Sequence, residues 1–243
     1  MPLDHREPNR ATIDIALIRL PALNPQSRIG SLFFNPGGPG GSGIQFLLVR
    51  GLTTFAYLRE RFDLVSFDPR GIGGSTASAA LAQTSQWDSA FTPFYFPRTP
   101  EEENVQIATD RYLNGACAQR GGRIIDHMST ANVARDLDLL RQAVGDTKLN
   151  FVGYSYGSYL GVTYANLFPD NFRALVMDGV VDPIAWATGY GNEGSTVPFS
   201  TRIRGDAGAQ VMLNEFFRFV TPTAHVARWR RTPRAVSPLS AIG

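Results

Sequence analysis

The chain has 243 residues, 43% hydrophobic and 18% charged, with a formal net charge of +2. That suffices for one globular domain with a core, or one domain plus part of another, and the near-neutral balance argues against a nucleic-acid binder, which would carry a clustered basic stripe. A single cysteine, Cys117, rules out an internal disulfide, no apolar run reaches the ~18 residues of a membrane span, and residues 1–10 lack the basic-then-apolar order of a signal peptide.

Taken in order, Thr12 to Leu20 reads TIDIALIRL, an alternation that predicts a strand with one slip. Ser27 to Asn35 contains IGSLFF, a buried strand, and runs into PGGPGGSG at 36–43, which excludes regular structure. A helix is expected from Ile44 to Arg61, then a strand over Asp63 to Asp68 that ends at Pro69-Arg70-Gly71. Residues 76–100 are rich in Ala, Ser, Thr and Pro and read as loop with broken helix. Glu101 to Gln119 is predicted helical, its acids favoured in the first turn by the helix dipole. Thr130 is the expected N-cap of another helix, with Val133, Leu137, Leu140 and Val144 on one face and Gly145 as its stop. A strand over Asn150 to Gly153, a helix from Tyr156 to Phe168 and a strand over Phe172 to Met177 follow. Strands alternating with helices predict a mostly parallel sheet with helices on both faces.

Three motifs carry chemistry. Gly153-Tyr154-Ser155-Tyr156-Gly157 is a G-x-S-x-G turn between a strand and a helix, the arrangement that lifts a nucleophilic serine to the C-terminal edge of a sheet, a nucleophile elbow. NPGGPGGSG, beginning at Asn35, suits an oxyanion hole: charge developing on a carbonyl oxygen needs two backbone N–H donors about 3 Å away. The candidates are Tyr156, which follows the serine, and Gly38 or Gly37, where no Cβ blocks the approach. A phosphate loop would need a lysine after its last glycine, and none follows. In FDPRGIGGS, residues 67–75, Asp68 and Arg70 are expected to pair and brace the loops around the site.

The order PLDH, NPGGPGGSG, DLVSFDPRGIGGS, TANVARDLDLLRQAVGD, FVGYSYGSYLG and LVMDGVVDP resembles the tripeptidyl aminopeptidase branch of the α/β-hydrolases, related to proline iminopeptidases, over residues 2–219. The resemblance implies an α/β-hydrolase core over 1–182 that is incomplete at its C-terminus, the beginning of a helical lid over 183–219, and Ser155 as the nucleophile. It implies release of short peptides from N-termini through an acyl-enzyme. Two alternatives stay open: a carboxylesterase, or a non-catalytic fragment. It also implies a family often secreted, although this chain shows no signal. The expected partner is a small peptide or ester, with neither cofactor nor metal.

The chain departs from that family in its base. The expected order is Ser, then Asp or Glu, then His. His5 and His127 precede Ser155 and read as surface residues. His225 has the right order, with Asp178, Asp182, Glu193, Asp206 and Glu215 between, and Glu193 or Glu215 is also a candidate partner for a substrate amine. Residues 220–243 carry arginines, prolines and no acid. They read as an irregular tail, out of frame with the rest, and this predicts impaired activity.

Overall fold

The computed structural model describes residues 1–220 apart from 79, 82–85, 87 and 95. Contacts divide the chain into two units, Met1–Val181 and Asp182–Gly243.

The first unit is built on five strands: β1 (Leu17–Leu20), β2 (Gly30–Asn35), β3 (Phe62–Phe67), β4 (Leu149–Tyr154) and β5 (Phe172–Asp178), in the order β1-β3-β2-β4-β5. β1 runs antiparallel to β3, and the other pairs are parallel. β2 is buried along its whole length, as a central parallel strand must be. Its register sets Phe33 beside Val65 and Phe151. Helices α1 (Gly43–Arg50), α2 (Pro100–Arg120), α3 (Thr130–Ala143) and α4 (Tyr156–Leu167) complete the unit.

The sheet has two packed faces because its side chains alternate. Phe33, Val65, Phe67 and Phe151 face Val133, Leu137 and Leu140 of α3 and Leu160 and Tyr164 of α4. Leu32, Phe34 and Leu64 face Leu47 of α1. The parallel sheet with helices on both faces is therefore as expected, and α3 ends as predicted, with Gly145 at φ +85° just beyond it.

Several boundaries differ. The expected strand from Thr12 contracts to Leu17–Leu20, because Thr12 pairs instead with Pro2 in an isolated bridge. The expected helix to Arg61 stops at Arg50. Thr53 Oγ1 donates to the carbonyls of Val49 and Arg50 at 3.1 and 3.4 Å, competing for the acceptors that continued helix would use, and the chain resumes only as a 3-10 turn at Ala56–Glu60. The cap of α3 is Ser129, whose side chain accepts from the Asn132 N–H, while Thr130 is the first helical residue.

In the second unit, α5 (Pro183–Ala187) is capped by Asp182, and α6 (Glu193–Thr196) and α7 (Phe199–Arg202) are single turns. Trp186 and Phe199 meet edge to face at 4.6 Å. Helix α8 (Gly205–Val220) exposes Met212, Phe216 and Phe219.

Candidate active site

Ser155 stands between the last residue of β4 and the first of α4, at φ 53°, ψ −121°. A side chain with a Cβ rarely adopts that conformation, and something must hold it there. Three bonds do. The Ser155 N–H donates to the Asp178 carbonyl of β5 at 2.8 Å. The Ser155 carbonyl accepts from the Ser158 N–H at 2.9 Å and from Ser158 Oγ at 2.6 Å. Ser158 Oγ in turn accepts from the Val181 N–H at 2.9 Å. Small residues let the turn sink onto the sheet: a Cβ on Gly157 would lie 2.6 Å from the Asn35 carbonyl. The Ser155 side chain is exposed, and its Oγ has no hydrogen-bond partner among the described residues.

The glycine loop after β2 approaches the same turn. Gly37 has φ +87°, and a Cβ there would sit 2.9 Å from the Tyr156 N and 3.1 Å from Ser155 Cβ. The Gly37 N–H donates to Asn35 Oδ1 at 3.0 Å. Gly38, at φ +115°, is exposed, and its N–H has no acceptor among the described residues. The Gly41 N–H donates to the Gly37 carbonyl at 3.0 Å and closes the loop. Tyr156 aims its ring away from the turn, its hydroxyl 2.6 Å from Thr130 Oγ1, and burial pushes that phenol up from its ordinary range.

The expected Asp68–Arg70 pair is absent. Asp68 does brace the loops: Oδ1 accepts from Ser42 Oγ at 2.6 Å and from the Ile44 N–H at 3.1 Å, and Oδ2 accepts from the Gly74 N–H at 2.9 Å. With its lone pairs committed to neutral donors, Asp68 has no call on Arg70, which turns into the interior. Its guanidinium donates to both oxygens of Asp136 on α3, each at 2.7 Å, and to the carbonyls of Leu3, His127 and Pro2.

His5 joins this network and is not a surface residue. Its Nε2 lies 2.9 Å from Asp136 Oδ1, with the side chain only 10% exposed. Burial lowers its pKa, outweighing the favourable Asp136 contact. His127 is half-buried at the end of a 3-10 turn, so it too departs from the surface reading.

Of the acids between Ser155 and His225, Asp178 lends its carbonyl to Ser155 and leaves its carboxylate exposed. In the second unit Asp182 caps α5, Glu193 accepts from the Tyr190 N–H at 2.8 Å, Glu215 pairs with Arg218, and Asp206 lies in the first turn of α8. His225 lies outside the described residues. Among the described residues no cluster of His, Cys, Asp and Glu is arranged to hold a metal, and no helix is long and apolar enough to cross a membrane. Asn35, which sequence reasoning left unassigned, anchors Gly37; its only signal was its place at the head of the glycine motif.

A family model described as the alpha/beta hydrolase fold matches residues 30–200. The tripeptidyl aminopeptidase of Streptomyces lividans is 38% identical over 186 residues, which cover 75% of this chain and 34% of that protein. The serine protease Hip1 of Mycobacterium tuberculosis H37Rv is 39% identical over 76% of this chain and 35% of its own length. Carboxylesterase B of Mycobacterium tuberculosis CDC 1551 is 34% identical over 89% of this chain and 39% of its own. The chain thus spans little more than a third of the length of these curated relatives.

Proposed function

The chain belongs to the α/β-hydrolase family, and from that premise we propose that it carries the nucleophile of a serine hydrolase acting on peptides at their N-termini. The observation behind this is the conformation of Ser155, a non-glycine residue at φ 53° on a strand-to-helix turn, with its hydroxyl exposed and its neighbours packed against a glycine loop. In the proposed reaction Ser155 Oγ attacks the substrate carbonyl carbon and gives its proton to a base. The tetrahedral oxyanion is held by the N–H groups of Tyr156 and Gly38; Gly37 is the weaker candidate, since its N–H is already bonded to Asn35. The leaving amine takes the proton, and water then releases the acyl group. Similarity to an aminopeptidase and a serine protease favours peptides, and similarity to a carboxylesterase keeps ester cleavage as the second reading, since the same machinery serves both.

The base is the open element. Among the described residues none is bonded to Ser155 Oγ, and His5 is committed to Asp136. His225 follows Ser155 in the expected order and is the proposed base; without its imidazole, kcat should fall on the order of 10⁴- to 10⁶-fold. The test is labelling of the whole chain with a fluorophosphonate, with Ser155→Ala and His225→Ala as comparisons. Labelling lost in both variants supports the assignment. Labelling that survives Ser155→Ala removes Ser155 as nucleophile, and labelling that survives His225→Ala alone removes His225 as base.

A further inference from the structure

A cavity of about 70 Å³ lies beside the Ser155 turn, entirely within the first unit. Pro39, which follows Gly38, forms one wall, and Tyr156, which follows Ser155, forms another. Ile72, Met128 and Val133 supply apolar lining, and Asn35 from the end of β2 reaches it from below. Asn35 is only 2% exposed. Its Oδ1 accepts from the Gly37 N–H, yet its Nδ2 has no acceptor among the described residues. An amide donor that makes no hydrogen bond to the protein marks a place where an acceptor is expected. The other polar groups at this cavity are committed: Tyr156 to Thr130, and the Arg70 guanidinium to Asp136 and three carbonyls.

We propose that this cavity is a substrate subsite for a short aliphatic group bearing a carbonyl oxygen, with Asn35 Nδ2 donating to that oxygen. The assignment rests on the nucleophile reading, because it is the two loops meeting at Ser155 that border the cavity. A group bound to a carbonyl at that turn, on its acyl side, enters between Pro39 and Tyr156. Size sets the class. A cavity of about 150 Å³ admits a benzene ring, so one half as large takes a propyl or isopropyl group and refuses a ring. A short aliphatic group that carries a carbonyl oxygen of its own, besides the scissile one, fits, and an aromatic one does not.

The test does not depend on turnover. The full chain is labelled at its methionine methyls with carbon-13 and titrated with isobutyramide, then with benzamide. Met128 lines the cavity, while Met177 packs in the core and Met212 lies on α8 in the other unit. A saturable shift of the Met128 methyl with isobutyramide, unmoved Met177 and Met212 methyls, and no response to benzamide are expected. Asn35→Ala should weaken binding about fivefold, the loss of one hydrogen bond, and Ile72→Phe should abolish it by filling the cavity from the opposite wall. Ser155→Ala should bind as the parent does, so a chain that fails to label with fluorophosphonate still reports on the subsite. An unresponsive Met128 methyl, equal binding of benzamide, or undiminished affinity in Ile72→Phe would overturn the proposal and leave a water-filled void.

Discussion

Arg70 and Asp136 make two hydrogen bonds of 2.7 Å between side chains that have no solvent exposure. They join the turn after β3 to the middle of α3 and, through the carbonyls of Pro2 and Leu3, fasten the N-terminal segment to both. Coulomb attraction at that depth is strong, but so is the cost of desolvating each ion, and the net value of the pair is far smaller than either. The informative quantity is what remains when one partner goes. Asp136→Ala leaves a guanidinium uncompensated in the interior and should cost about 3–5 kcal/mol. Arg70→Met with Asp136→Leu removes both charges and should recover most of that. Urea denaturation of the three proteins measures it; a double variant no more stable than Asp136→Ala would show that the carbonyl bonds of Arg70 matter more than its charge pairing.

The same network predicts a pH dependence. His5 faces Asp136, Arg70 and Arg135, and burial lowers its folded pKa below the unfolded value of about 6.5. Between those two values the unfolded chain binds the extra proton, so stability rises with pH through that window. It is complete above about pH 6.5 and is lost as pH falls toward the folded pKa. Against the opposing effect of burial, Asp63 and Asp138 are shifted downward as well, held by the Ala22 N–H with Arg28 and by Tyr164 with Arg141 respectively, and their contributions disappear only below about pH 4. The urea midpoint should therefore fall between pH 7 and pH 5, and His5→Gln should flatten that segment while leaving the acid limb unchanged. An identical slope in the variant would assign the dependence to other groups.

What could be read from the sequence was mostly local. The G-x-S-x-G turn announces itself because only small residues let that turn meet the sheet, and Gly145 ends α3 because the backbone there needs φ +85°. Sequence proximity pairs Arg70 with Asp68, two residues away, and not with Asp136, sixty-six away, because nothing in the pattern reveals that Ser42 and two backbone N–H groups already occupy Asp68. His5 read as exposed for the same reason: its burial depends on α3 and the β3 turn closing over the N-terminal segment. The capture of the Gly37 N–H by Asn35 is also a tertiary fact. It narrows the oxyanion candidates in a way that a run of glycines alone does not.

Ser155 should carry a measurable conformational penalty. A non-glycine residue held in such a backbone region stores about 1–3 kcal/mol. Glycine would relieve it while losing about 0.5–1 kcal/mol in backbone entropy. Relief is the larger effect, so Ser155→Gly should be more stable than Ser155→Ala by about 1 kcal/mol. Both should be silent toward fluorophosphonate. Equal urea midpoints for the two variants would mean that the turn relaxes in Ser155→Ala, and that the bonds from Asp178 and Ser158 do not enforce the geometry.

β5 pairs only with β4 among the described residues, so its outer edge offers unbonded backbone groups over Phe172–Asp178. Its side chains add to the hazard: Val176 is 55% exposed in the middle of the strand, and Val180 is 66% exposed just after it. An apolar strand with a free edge is a template for another chain, and a charge placed on it is a common safeguard. Val176→Lys should therefore shift sedimentation velocity profiles toward the monomer at high concentration. A surface change of this kind should alter the free energy of unfolding, from urea denaturation, by no more than about 0.5 kcal/mol. The two readouts separate the causes. A monomer shift without a stability change assigns self-association to the β5 edge. A loss of stability with unchanged association would instead mean that Val176 is covered in solution by some other part of the chain.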